Sequence, residues 1–199
     1  RAGFVLHAAV HEHHPDIVAM CHAHTVYGGA YASLGRPLPP ITQDAACFFE
    51  DHVVIADEGG KVAVEVDAGH KVALAFKGVK AAIHQNHGLL TVSRHSIEAA
   101  AFWFIALERC CQQQLMIDAT GVPPKLVPPE KARFSPCAPC RSYMQHCQQP
   151  HGQSRGGHAM HGWRARIFSL RLVRRHRVRL RRSRAALGGR VLFVSRLQN

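Results

Sequence analysis

Cys21-His22-Ala23-His24 is the stretch on which the reading of this chain turns, with Asn86-His87-Gly88 as its distant complement. The residues leading into it, Asp16–Cys21, are apolar, partly β-branched and bounded by Pro15, which predicts a buried strand delivering His22 and His24 at its end. Strand side chains alternate with period 2, so both imidazoles face one way and can reach one metal ion. The same alternation turns Cys21 to the opposite face, as a buried thiol. His87, beside Gly88, is the sort of ligand that a fold brings in from another element. Three protein ligands with one open position make a catalytic zinc arrangement rather than a structural one. The blander reading is a polar pair at a strand end and a turn histidine capping a carbonyl.

Working outward, Ala2–His14 predicts a short helix ended by Pro15. Thr25 is expected to cap a helix over Val26–Leu34, stopped by Gly35 and Pro37. His52–Ala56 predicts a strand, and Asp57-Glu58-Gly59-Gly60 a turn. Lys61–Phe76 reads two ways: Val62, Val64 and Val66 alternate like a strand, while a helix after Ala68-Gly69 is favoured. Val79–Ile83 and Leu89–Val92 predict strands around the His87 segment, and Ser93–Ser96 a turn. Ser96 caps a long helix from Ile97 to about Ala119, with Glu98 suited to the helix dipole. This order describes a layered α/β domain.

Charge divides the chain. Residues 1–130 carry 9 Lys and Arg and all 13 Asp and Glu, whereas 131–199 carry 16 basic residues and no acid. The overall +12 therefore does not mark the histidine-bearing part as a nucleic-acid binder. From Ser135 the texture changes, and 141–199 holds 14 arginines and no lysine. A GC-rich coding region read out of frame or through an intron produces such a run. An arginine-rich arm for nucleic acid or anionic lipid, with Leu170–Leu180 as a loosely amphipathic helix, and a disordered basic tail are the other readings. Cys137, Cys140, His146 and Cys147 lack the clean second pair of a zinc knuckle. The seven cysteines, odd in number and with Cys110 and Cys111 adjacent, suggest a reducing, cytoplasmic setting rather than a disulfide framework. Cys110 and Cys111 cannot both face one site from a helix, and core packing is expected for them. No apolar run approaches the ~20 residues of a membrane span.

Residues 3–121 resemble the class II aldolase/adducin family. The match is carried in order by Ala-Gly-Phe-Val-Leu-His (2–7), Pro-Asp-Ile-Val-Ala-Met-Cys-His-Ala-His-Thr (15–25), Leu-Pro-Pro-Ile-Thr-Gln-Asp (38–44) and Asn-His-Gly-Leu-Leu-Thr-Val (86–92). The start of the long helix, Glu98-Ala-Ala-Ala-Phe-Trp, completes the set. The resemblance implies a three-layer αβα sandwich around a mostly antiparallel sheet, assembled as a homo-oligomer, a tetramer in the family. It implies a divalent metal, zinc above others, held by His22, His24 and His87. It also implies a glutamate serving as acid/base, and the matching position here is Gly3, as in adducin-like members. Asp44, Glu50 and Asp51 are the candidates for a substitute carboxylate. The family's phosphate-binding segment would precede Arg1, so the domain, 1–134, reads as incomplete at its N-terminus, with 135–199 as the tail. His7, His11, His13, His14, His52, His70, His84 and His95 are expected to be surface or structural, with His13-His14 an adventitious metal pair.

Two functions follow from the resemblance. One is metal-dependent lyase or epimerase chemistry on a small sugar-phosphate-like hydroxy-carbonyl substrate. The other is a non-catalytic scaffold binding cytoskeletal or other protein partners.

Overall fold

A computed structural model describes residues 2–56, 66–134, 168–169, 179–187 and 190–198, with side chains over 5–56 and 69–134. In chain order the elements are α1 (Ala2–His13), β1 (Ala19–Ala23), α2 (Val26–Ala32), α3 (Gln43–Ala46), β2 (His52–Ile55) and α4 (Val66–Ala75). They continue with β3 (Ala81–His84), β4 (Gly88–Ser93), α5 (Ile97–Asp118) and α6 (Pro129–Arg133). The arginine-rich segment contributes β5 (Phe168–Ser169), β6 (Arg179–Leu187) and β7 (Arg190–Gln198). One sheet runs in the order β2-β3-β4-β1-β7-β6-β5. Among the described strands the only parallel pair is β2 with β3; the others are antiparallel.

Side-chain alternation sorts the core into two faces. Ala19, Cys21, Ala23, Ala81, Ile83 and Leu89 pack with Tyr31 of α2 and Phe104, Leu107, Cys110 and Cys111 of α5. Met20, Ala82, Leu90 and Val92 pack on the other face with Leu6, Ala9 and Val10 of α1 and Val72, Ala73 and Phe76 beside them. Helices therefore cover both faces of the sheet, the expected αβα sandwich. This is why β1 and β4 are buried at every residue instead of alternating with solvent. Fully burying a Leu or Phe contributes about 1.5–3 kcal/mol, so these two clusters supply the main drive to stack the layers.

Local chemistry sets several boundaries. Ser96 Oγ accepts from the N–H of Ala99 (3.1 Å), and Glu98 lies in the first turn of α5, as expected. Thr42 starts the short α3 in the same way, accepting from the N–H of Ala45 (3.1 Å). β1 begins at Ala19 rather than Asp16, because the N–H of Ile17 still bonds the carbonyl of His14 (3.0 Å) and Asp16 turns to the surface to meet Arg94. His22 thus stands inside the strand, not beyond its end. β3 likewise starts two residues later than expected, at Ala81. α4 begins at Val66, ahead of Ala68-Gly69. Gly69 sits within it where a Cβ would lie 3.0 Å from that of Ala9, so this glycine permits close approach of α1. The expected turn at 57–60, the alternation through Val64 and the Cys137–Cys147 cluster lie outside the described residues, as does the loosely amphipathic helix read over Leu170–Leu180 except for Arg179 and Leu180, which open the strand β6 instead.

Candidate metal centre

The register of β1 on β4 pairs Ala23 with Leu89 and His22 with Leu90, which sets the end of β1 beside the start of β4. The β3–β4 hairpin then carries His87 to the same end. Its turn closes with the N–H of His87 on the carbonyl of His84 (3.0 Å), and Asn86 takes the left-handed conformation (φ 57°) that Asn tolerates better than most residues. Gly88 allows the two strands to meet: a Cβ there would lie 2.9 Å from the carbonyl oxygen of Ala23, at φ 153°.

His22, His24 and His87 are brought together as expected. One ring nitrogen from each lies within 4.8 Å of the others, and the group can hold a metal ion. Ring centroids are 5.2 Å apart for His22 and His24, 5.0 Å for His22 and His87, and 4.6 Å for His24 and His87. His22 is buried, His87 half-buried and His24 exposed, so the group opens to solvent on the His24 side.

His22 fits a ligand's chemistry. Its Nδ1–H donates to the carbonyl of Leu89 (2.9 Å), which leaves the lone pair on Nε2. Burial, opposed by that hydrogen bond and reinforced by His87, His24 and His84, pushes its pKa down to about 3. Neutral imidazole, the form that binds metal, is therefore its ground state at neutral pH.

His84 was expected to be surface or structural. It is buried and tilted 33° against His87 at 4.7 Å between centroids, a fourth imidazole next to the triad. Its position at the end of an apolar strand, three residues before His87, is the only signal of this in the sequence. The carboxylates are elsewhere. Glu50 is gripped through both oxygens by Arg133 (2.9 and 2.7 Å). Asp51 accepts from the N–H of Lys80 (2.9 Å) and pairs with its ammonium at the far end of β3, since β2 meets β3 with His52 opposite Ala81 and Ile55 opposite His84. Asp44 lies in the first turn of α3. Among the described residues no carboxylate joins the histidine group. Gly3 lies in the first turn of α1.

Cys21 is fully buried on the opposite face from the triad, with burial pushing its thiol up to about 12. Cys110 and Cys111 are core residues, as expected, and with Cys21 they are free thiols. His13 meets His70 rather than His14, and the Nε2 of His14 bonds the carbonyl of Ala73 (2.7 Å). Sequence reasoning missed Glu108 of α5, which bonds Thr25 and the first N–H groups of α2. No helix among the described residues is long and apolar enough to cross a membrane.

Comparison with known proteins agrees with this geometry. The decarboxylase NovR of Streptomyces niveus is 46% identical over 134 residues, 67% of this chain and 48% of its own length. The 4-hydroxy-3-prenylphenylpyruvate oxygenase/4-hydroxy-3-prenylbenzoate synthase of Streptomyces roseochromogenus subsp. oscitans is also 46% identical over 134 residues, 67% of this chain and 47% of that protein. The chain thus spans about half the length of these relatives. Among solved structures, the L-fuculose 1-phosphate aldolase from Glaciozyma antarctica PI12 superposes with a TM-score of 0.59 at 35% identity, covering 74% of this chain and 59% of that one. The family model for the class II aldolase and adducin N-terminal domain matches residues 1–115, and the chain belongs to that family.

Proposed function

We propose that this chain carries the metal centre of a carbon–carbon lyase, with His22, His24 and His87 as ligands of a divalent ion, zinc first among them. The observation that carries the reading is the convergence of three ring nitrogens within 4.8 Å, with a backbone carbonyl setting the tautomer of the most buried one. Once bound, such an ion supplies Lewis-acid stabilisation of negative charge building on a substrate oxygen beside the breaking bond. The rest falls to the protein's own groups. His22 holds its Nε2 lone pair in place through Leu89. His24 and His87 close two further sides and leave the solvent side for substrate. Cys21, turned to the other face, takes no part.

The names of the relatives support a reading of the substrate class. Their names include an aldolase for a sugar phosphate, a decarboxylase and an oxygenase named for an arylpyruvate. The first two names denote carbon–carbon bond cleavage. The reading is therefore a small hydroxy- or oxo-carbonyl compound, sugar-phosphate-like in the first instance and an aromatic oxo acid in the second. Its assembly is a homo-oligomer in a reducing, cytoplasmic setting, with residues 1–134 as the catalytic domain and β7 of the arginine-rich remainder paired to β1 of that domain. The test is metal content of the full chain purified without chelator, then turnover of L-fuculose 1-phosphate and of a 4-hydroxyphenylpyruvate after Zn(II) or Fe(II) loading. Stoichiometric metal that disappears in His22→Ala supports the site. A metal-free parent, or His22→Ala that keeps the metal, would overturn it.

A second reading, an adducin-like scaffold without catalysis, is favoured by one observation: among the described residues no carboxylate stands with the histidines. Co-sedimentation with actin filaments, together with no turnover of either substrate by the metal-loaded chain, would select it.

A further inference from the structure

We infer that Glu108 is a positioning residue for the metal centre, fixing His24 by anchoring the backbone that follows it. The inference rests on the metal reading above and adds a residue to it. His24 is exposed, its ring meets His22 and His87 edge-on, and the direction from which it reaches them is set by the chain on either side. On one side is β1. On the other are Thr25 and α2, and Glu108 of α5 takes hold of both. The hydroxyl of Thr25 donates to Glu108 Oε2. The N–H of Gly28 donates to the same oxygen (2.7 Å), and the N–H of Tyr27 to Oε1 (3.1 Å).

This arrangement replaces the local device. Thr25 stands at the N-cap of α2 in an extended conformation, yet its side chain makes no capping bond. Its hydroxyl is turned to α5 instead, and a carboxylate distant in sequence satisfies the N–H groups that a cap would take. Charge-assisted bonds of this kind are roughly twice as strong as neutral ones, and an anion suits the positive end of a helix. Three such bonds hold a backbone better than one neutral cap.

Gly28 makes the approach possible. A Cβ there would lie 2.7 Å from Glu108 Oε2 and 2.4 Å from Leu89 Cδ1. Leu89 is also the residue whose carbonyl holds His22 (2.9 Å). Two of the three imidazoles are thus tied to one knot of Gly28, Leu89 and Glu108. Outer-shell partners of metal ligands are worth about 10–100-fold in metal affinity when removed.

The test uses the full chain with Co(II) as probe, reading affinity, visible absorption and metal-free melting temperature. Glu108→Ala is expected to weaken Co(II) about 10–100-fold and to change the spectrum. Glu108→Gln, which keeps one acceptor oxygen, recovers part of the affinity. Thr25→Val, removing a single arm, has a smaller effect in the same direction. A merely structural glutamate would lower the metal-free melting temperature and leave Co(II) affinity and spectrum alone; that result overturns the inference, as does no effect at all. Should Glu108→Ala fail to fold, Glu108→Gln and Thr25→Val are judged by the same criteria. A parent chain that binds no Co(II), or binds it equally as His22→Ala, brings down the metal centre and this inference with it. A parent that binds while the Glu108 variants match it brings down this inference alone.

Discussion

The Nδ1–H of His22 donates to the carbonyl of Leu89 across the β1–β4 pair, at 2.9 Å in a buried setting. That bond makes His22 both a candidate ligand and a structural residue, and it separates His22 from His24. His22→Ala removes a buried ring and leaves the Leu89 oxygen without this donor, a loss of about 1–3 kcal/mol. His24→Ala, at an exposed position, should change metal-free stability by about 0.5 kcal/mol or less. Both should abolish tight metal binding. Chemical denaturation of the metal-free variants beside their metal content checks this; equal stability losses would contradict it.

The backbone contact at Gly88 gives a second expectation. An alanine Cβ there would sit 2.9 Å from the Ala23 oxygen, between the two strands that bring His24 and His87 together. The neighbour is backbone and cannot rotate away, so the strands must separate. Gly88→Ala should cost about 1–3 kcal/mol and weaken metal binding at the same time. A variant with parental Tm and parental affinity would show that the strands have room to spare.

Acid should destabilise the fold through histidines outside the triad. His52 donates from Nδ1 to the carbonyl of Phe48 (2.6 Å) and accepts at Nε2 from the N–H of Leu38 (2.9 Å). Only neutral imidazole can do both. Burial lowers the pKa of His52, and of His11, whose Nδ1–H donates to the carbonyl of Ile17 (3.0 Å). With the folded pKa below the unfolded value of ~6.5, the unfolded chain binds more protons just below that pH. Stability is therefore full above pH ~6.5, falls as pH drops through it, and levels off below the folded values. His52→Gln, which can donate and accept at similar positions, should flatten part of the slope in urea midpoints between pH ~7.5 and ~5.5. An unchanged slope would remove His52 from the explanation.

The outcome at particular residues shows what the sequence carried. His22 and His24 were legible because strand alternation is a local rule, and His87 through the ordered resemblance rather than through anything local to it; the close approach at Gly88 was not foreseen. α5 was legible because Ser96 caps it from its own chain. Thr25 stands at the N-cap of α2 as expected, but the capping bonds come from Glu108 on α5, and nothing near Thr25 announces that. The start of β1 was misplaced because Asp16 answers to Arg94 rather than to its apolar neighbours. His84 was grouped with the surface or structural histidines, and its contact with His87 was not foreseen because it depends on a hairpin, not on spacing alone. Asp51 was a plausible carboxylate until the parallel β2–β3 register put it at the opposite end of β3 from His84.

Thiol reactivity should follow burial. Cys21 and Cys110 are pushed up to about 12 by desolvation, and Cys111 is raised by the same cause, so their reactive thiolate is scarce at neutral pH. Cys47 is half-buried, with its thiol turned to the carbonyl of Gln43 (3.5 Å). Native labelling with a maleimide, read by peptide mass, should modify Cys47 well before the other three. Prompt labelling of Cys21 would mean that the face of β1 behind the triad opens readily.

Metal should stabilise the whole fold, because the histidines come from separated segments and converge only when β1 and the β3–β4 hairpin are paired. Ligand that binds only the folded state adds RT ln(1 + [L]/Kd), about 2.7 kcal/mol at a hundredfold excess over Kd. For a domain of this size that corresponds to a rise of several degrees in Tm. Zn(II) added to the metal-free chain at pH ~7.5 should produce that rise, and a chelator should reverse it. His24→Ala and His87→Ala should lose the zinc response while keeping their metal-free transitions. If zinc raised Tm equally in those variants, the stabilising site would lie elsewhere, with the His13–His70 contact on the surface the first place to look.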